Sequence, residues 1–139
     1  MTSATEANTG LWGEVARKAP DRAYLVNALV EELHEGLNLL ATLPPAVTFF
    51  GGARIKPDDP FYADAERVGE LLAQRGLPPR TGAGPGIMTA VPAGFRRALP
   101  VADPNTSEQL LTQGFNIKLP FEQKVNPAID VHLELVNFP

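Results

Sequence analysis

The chain has 139 residues, about one ordinary domain, and its 44% hydrophobic and 20% charged residues match a globular fold and lie far from the composition of a disordered chain. A formal net charge of -4 leaves no basic field for a nucleic-acid backbone or an anionic membrane surface, so neither is an expected partner. With no cysteine there is no disulfide, thiolate nucleophile or cysteine-type zinc site; His34 and His132 stand far apart, and neither metal nor cofactor is expected.

Residues 1–20 form an expected flexible lead-in, polar and without the apolar run of a leader, and a single domain is expected over 21–139. No stretch approaches the length of a membrane span, which predicts a cytoplasmic protein. Over 21–42 the apolar residues Leu25, Val26, Leu29, Val30, Leu33, Leu37 and Leu40 recur at spacings of three and four, predicting an amphipathic helix whose Leu29, Leu33 and Leu37 stripe docks on a sheet. Pro44 and Pro45 end it. Residues 46–50 then form an apolar run closed by Gly51-Gly52, which predicts a central parallel strand buried on both faces.

A second helix is predicted over 60–74, with Asp59 as its cap and Pro60 at the first helical position. Gly76 stops it, and the rhythm of the pattern places a strand at 77–81, although Pro78 and Pro79 weigh against a well-formed central one. The small-residue loop Gly82-Ala83-Gly84-Pro85-Gly86 opens onto a third helix ending near Leu99, where Pro92 predicts a kink. A short helical piece at 107–111, a strand at 114–119 with Phe115, Ile117 and Leu119 on one face, and an alternating strand at 130–138 complete the pattern. Strands alternating with helices predict a Rossmann-like parallel α/β sheet with helices on both faces.

Two segments could carry chemistry. Gly51-Gly52-Ala53-Arg54 follows the first strand, where missing side chains let a ligand approach the backbone at the carboxyl edge of the sheet. Taken alone, it reads rather as a tight strand-to-helix turn. Gly82 to Gly86 precedes a helix, where unpaired N–H groups and the helix dipole favour an anion, and a structural turn is the alternative. Two such loops after successive strands would converge on one crevice, which favours a phosphorylated small molecule. Elsewhere the ordinary readings prevail. Glu31, Glu32 and Glu35 read as a solvated helix face, the histidines as surface groups and Met88 as core, while Glu122 stands in a loop after a strand.

Three blocks, Phe50-Gly51-Gly52-Ala53-Arg54-Ile55-Lys56-Pro57, Thr81-Gly82-Ala83-Gly84-Pro85-Gly86-Ile87-Met88, and Asn116-Ile117-Lys118-Leu119-Pro120-Phe121-Glu122-Gln123 with Asn126-Pro127, resemble in order and spacing the LOG (Lonely Guy) family. These are cytokinin riboside 5'-monophosphate phosphoribohydrolases, formerly called lysine decarboxylase-like. The resemblance runs from about Asp21 to Phe138 and implies a homo-oligomeric Rossmann-like hydrolase that cleaves the N-glycosidic bond of AMP or N6-modified AMP to base and ribose 5-phosphate. It also implies that Gly52, Ala53, Arg54, Gly84, Gly86, Ile87 and Met88 border the nucleotide. The family's Pro-Gly-Gly-x-Gly-Thr-x-x-Glu motif and Arg-Lys pair do not occur in these 139 residues. The expectation is therefore the truncated, N-terminal nucleotide-binding portion, with no catalytic residue and no turnover by itself. The alternative is a non-catalytic nucleotide-binding or interaction module. Ala83 stands where the family loop usually has glycine, which is compatible with the loop if φ there is negative.

Overall fold

A computed structural model describes residues 22–99, 110–118 and 124–137. The lead-in, Leu119 and Glu122 lie outside the described residues, as does most of the helical piece expected at 107–111; Leu110 and Leu111 are not helical. In chain order the elements are α1 (Arg22–Thr42), β1 (Val47–Thr48), α2 (Pro60–Ala73), β2 (Pro79–Thr81), α3 (Ile87–Ala98), β3 (Gln113–Ile117) and β4 (Val131–Leu135). The strands make one parallel sheet in the order β1-β2-β3-β4, a Rossmann-like α/β arrangement.

Because the chain steps across the sheet in one direction, right-handed crossovers place α2 and α3 on the same face. They pack on each other at backbone distance. A Cβ on Gly69 would overlap the Val91 carbonyl, and one on Gly94 would overlap the Glu66 carbonyl, so glycine on each helix sets the approach. Arg97 spans the contact to Glu66 (3.0 Å) and Glu70 (2.9 Å). Beneath them Ala65, Ala90 and Val91 form the core, with Phe49, Tyr62, Leu72 and Ile87 packed against it. The start of α2 is as predicted: Pro60 opens it and the Asp59 carboxylate accepts from the Phe61 N–H at 2.9 Å.

α1 lies on the opposite face. Its buried residue is Gly36, against the Leu133 side chain of β4, and the Glu32 carboxylate accepts from the Val136 and Asn137 N–H groups (2.9 and 3.0 Å). The expected docking of Leu29, Leu33 and Leu37 is corrected: Leu29 is half-buried, but Leu33 and Leu37 are 62% and 55% exposed. The apolar arc of this helix is wider than one sheet contact. At 100° per residue, Leu25, Leu29, Gly36 and Leu39 fall on the flank turned to the sheet, while Val26, Val30, Leu33, Leu37 and Leu40 fall on the next and stay exposed.

A second correction concerns β1. It contains two residues, both exposed, pairs only with β2, and forms an edge of the sheet rather than its centre. Phe50 just beyond it is 92% exposed. Apolar composition identified the strand but could not supply a second neighbour. β2, in contrast, is interior despite its prolines. Pro79 stands at its first position, where no ladder N–H is required, and the Pro78 carbonyl accepts from the Val47 N–H at 3.0 Å. On β4 the alternation is as predicted: Val131, Leu133 and Leu135 are half-buried, and His132 and Glu134 are exposed. On the α1 face Gln113 joins three elements. Its amide donates to the Pro44 carbonyl (3.1 Å) and its oxygen accepts from Arg80 (2.6 and 2.9 Å).

Candidate functional site

The two glycine loops meet. The Gly52 carbonyl accepts from the Ile87 N–H (3.2 Å) and, more loosely, from the Ile55 N–H (3.5 Å). Gly86 has φ 69° and ψ -132°, and a Cβ there would overlap the Gly52 carbonyl and lie about 3.0 Å from the Ala53 backbone. Only glycine fits both the backbone angle and the contact. Gly52, Ala53 and Arg54 are exposed, Gly84 and Gly86 are buried, and Ile87 and Met88 are half-buried.

Ala83 has φ 58°, contrary to the negative value expected for alanine, and is fully buried. The surrounding hydrogen bonds over-determine this left-handed turn: the Thr81 hydroxyl accepts from the Ala83 N–H (3.1 Å), and the Ala83 carbonyl accepts from the Asn126 N–H (3.0 Å).

The fixation continues around the loop. The Gly84 carbonyl accepts from the Thr89 hydroxyl (2.9 Å) and from the Asn126 amide (3.1 Å). The same amide donates to the Met88 carbonyl (3.2 Å), as does the Thr81 hydroxyl (3.2 Å). Met88 is four residues before Pro92, and proline has no N–H to take the helical bond from that carbonyl. The buried Pro92, from which the sequence predicted a kink, therefore frees an acceptor that ties α3 to β2 and to the segment before β4.

This arrangement has an electrostatic consequence. The carbonyls of Gly52, Ala83, Gly84 and Met88 all accept from protein donors. The N–H groups of Gly84, Gly86 and Met88 have no partner among the described residues. What remains at the start of α3 is a set of donors at the positive end of a helix, at the carboxyl edge of a parallel sheet. One donor expected there is already committed, since Ile87 gives its N–H to Gly52. Asn126 is the principal residue that reasoning from the sequence passed over. It appeared there only inside a motif, although an asparagine preceding a proline is a turn-former whose amide is available for backbone groups.

A hollow of about 450 Å³ lies elsewhere, beside α1, lined by Tyr24, Asn27, Glu31, Glu32, Glu35 and Asn137. Its three carboxylates repel an anion. Among the described residues no group of three or more metal-binding side chains is found, and no helix is long and apolar enough to cross a membrane.

No protein-family model and no curated protein matches the chain. Ten solved chains do. One is the X-ray structure of TM1055, a target of the Northeast Structural Genomics Consortium, with 22% identity and a TM-score of 0.43; the match covers 64% of this chain and 45% of that one. The chain thus spans less than half the length of that protein.

Proposed function

We propose that this chain binds a nucleoside 5'-monophosphate such as AMP, as the nucleotide-binding portion of a LOG-type phosphoribohydrolase. The observation that carries the reading is the partition of backbone groups where the two glycine loops meet, with carbonyls tied inward and N–H groups of Gly84, Gly86 and Met88 left over. Arg54, exposed and two residues beyond Gly52, supplies a cation on the same loop. Titration of labelled chain with AMP is expected to shift the amide signals of Gly52, Gly84, Gly86 and Met88. Shifts confined to the hollow beside α1 would overturn the proposal.

Turnover is a separate matter. Cleavage of an N-glycosidic bond develops positive charge on the sugar and calls for a carboxylate to stabilise it or to orient water. Among the described residues no carboxylate is hydrogen-bonded to either glycine loop. Incubation with AMP should therefore release no free adenine, and binding without turnover is the outcome that the non-catalytic reading shares. Release of adenine that Glu122→Gln abolishes would assign the catalytic acid to Glu122.

The reading also includes a second copy of the chain as partner. Val26, Val30, Leu33, Leu37 and Leu40 recur with alternating four and three spacing and are all exposed, which is the seam of a coiled coil. Its outer flank carries Asn27, His34 and Ala41, so two such seams meet without opposing like charges. Sedimentation should show a dimer that Leu33→Glu with Leu37→Glu converts to a folded monomer. A wild-type monomer at tens of micromolar would remove this part of the proposal.

A further inference from the structure

Asn116, on β3, is 4% exposed, and its Nδ2 has no hydrogen-bond partner among the described residues. Buried side-chain amides are nearly always paired, because desolvating a donor without a partner is costly. Asn116 is the one such group among the described residues, and its position is not arbitrary. The register pairs Thr81 of β2 with Gly114 of β3. A Cβ on Gly114 would stand 2.8 Å from the Ala83 Cβ, so the face of β3 that carries Gly114 is the face the phosphate-type loop leans on. Two residues further along the strand, Asn116 returns to that face, one step closer to the carboxyl edge. Continued by two residues, that register sets Asn116 level with the left-handed Ala83, where the chain leaves β2 and turns into Gly84 and Gly86.

The nearby loop carbonyls take their donors from elsewhere. The Ala83 carbonyl accepts from the Asn126 N–H, and the Gly84 carbonyl accepts from Thr89 and Asn126. Phe115 and Ile117 on either side point to the opposite face. The protein thus keeps a buried donor, at a cost in stability, beside a loop where the N–H groups of Gly84, Gly86 and Met88 also have no partner among the described residues.

We infer that the Asn116 carboxamide is a ligand-binding group that donates to an oxygen of the sugar-phosphate of the nucleotide held at the Gly84 to Met88 loop. The inference rests on the nucleotide-binding reading above and adds a residue that neither glycine loop contains. A neutral donor fits this place. It meets an oxygen acceptor on phosphate or ribose equally well, and it adds no charge to a buried strand.

The test compares the wild-type chain with Asn116→Ala and Asn116→Asp, using AMP, ribose 5-phosphate and inorganic phosphate as probes, followed by amide shifts and by thermal melting. Asn116→Ala should weaken AMP binding by about five-fold or more, as loss of a hydrogen bond to a charged or polar ligand oxygen does. Its melting temperature should stay equal or rise, since an unpaired buried amide has been removed. Asn116→Asp, which replaces donors by a negative acceptor, should abolish binding while the chain stays folded by circular dichroism. Loss of ribose 5-phosphate binding with phosphate binding intact assigns the contact to the sugar, and loss of both assigns it to the phosphate; either supports the inference. Undiminished AMP binding by Asn116→Ala overturns the inference and leaves the nucleotide reading standing. A fall of several degrees in the melting temperature of Asn116→Ala overturns it independently of any ligand, because the amide would then have an internal partner. Failure of the wild-type chain to bind any of the three probes overturns both.

Discussion

Gly86 and Gly76 both have left-handed φ, 69° and 64°, yet their surroundings differ completely. A Cβ on Gly76 meets nothing within 4 Å, whereas one on Gly86 overlaps the Gly52 carbonyl and crowds the Ala53 backbone. Gly76→Ala therefore carries only the cost of an alanine in left-handed backbone, about 1 kcal/mol. Gly86→Ala carries a larger strain of about 1–3 kcal/mol, because φ 69° with ψ -132° is territory for glycine alone. It also forces the two loops apart, which removes the 3.2 Å bond from Ile87 to Gly52, worth about 0.5–1.5 kcal/mol, and opens the packing around it. Strain and lost bond together come to about 1.5–4.5 kcal/mol, a large part of the stability of an ordinary domain. At roughly 4 °C per kcal/mol, Gly76→Ala should melt about 4 °C below wild type and Gly86→Ala about 6–18 °C below, or fail to fold. Paired thermal and urea unfolding followed by circular dichroism measures both. Equal losses for the two variants would show that the loops do not touch as described, and with that the site would dissolve into two separate turns.

Asn126→Ala removes the donors to the Gly84 and Met88 carbonyls and the acceptor of the Ala128 N–H, so it should cost about 2–3 kcal/mol in urea unfolding and speed hydrogen exchange at Gly84 to Met88. Pro92→Ala should change stability by less than about 1 kcal/mol, far from the ~3 kcal/mol that proline costs in an ordinary helix interior, because the Met88 carbonyl it frees is already bonded; a gain near the full value would refute that account. Hydrogen bonds from Arg67 and Arg97 hold the Glu70 carboxyl below the usual carboxylate range. A depressed folded-state pKa stabilises above the unfolded value and is lost as pH falls through the folded one, so between pH 7 and acid the melting temperature should fall less steeply in Glu70→Gln than in wild type.

Local chemistry was legible. The Asp59 cap and Pro60 fixed the start of α2, and the alternation of Val131, Leu133 and Leu135 fixed β4, because each depends on residues within one turn or one strand. Long-range neighbours were not. The composition of residues 46–50 says that β1 is apolar, but its edge position is decided by which strands pair with it. The α1 stripe announces a helix, yet its width exceeds one contact, and only Gly36, the residue with no apolar side chain to count, shows which flank meets Leu133. Of the site, both glycine loops were visible in the sequence. Asn116 stood there only as the first residue of a motif block, since a missing partner leaves no trace in a sequence.

Pro92 shows how a local rule can be right and its consequence reversed. A proline within a helix does remove one backbone hydrogen bond, and read alone that predicts a weakened element. Here the freed Met88 carbonyl is taken up by Thr81 from the strand before the loop and by Asn126 from the segment before β4, so the start of α3 is held by two elements on either side of it. Asn126 reaches Gly84 with the same amide, and the Thr81 hydroxyl also accepts from Ala83, so one small network fixes the left-handed turn, the loop and the helix start together. Every bond in that network ends on a carbonyl of the loop or begins at a donor already spent, and the N–H groups of Gly84, Gly86 and Met88 are what it leaves over. An anion there would be held by oriented backbone dipoles on a chain whose net charge is -4, with Arg54 the side-chain cation on the neighbouring glycine loop. Its affinity should accordingly depend more on the integrity of Asn126 and Gly86 than on ionic strength, because dipoles fixed in a partly buried loop are screened less than exposed charges.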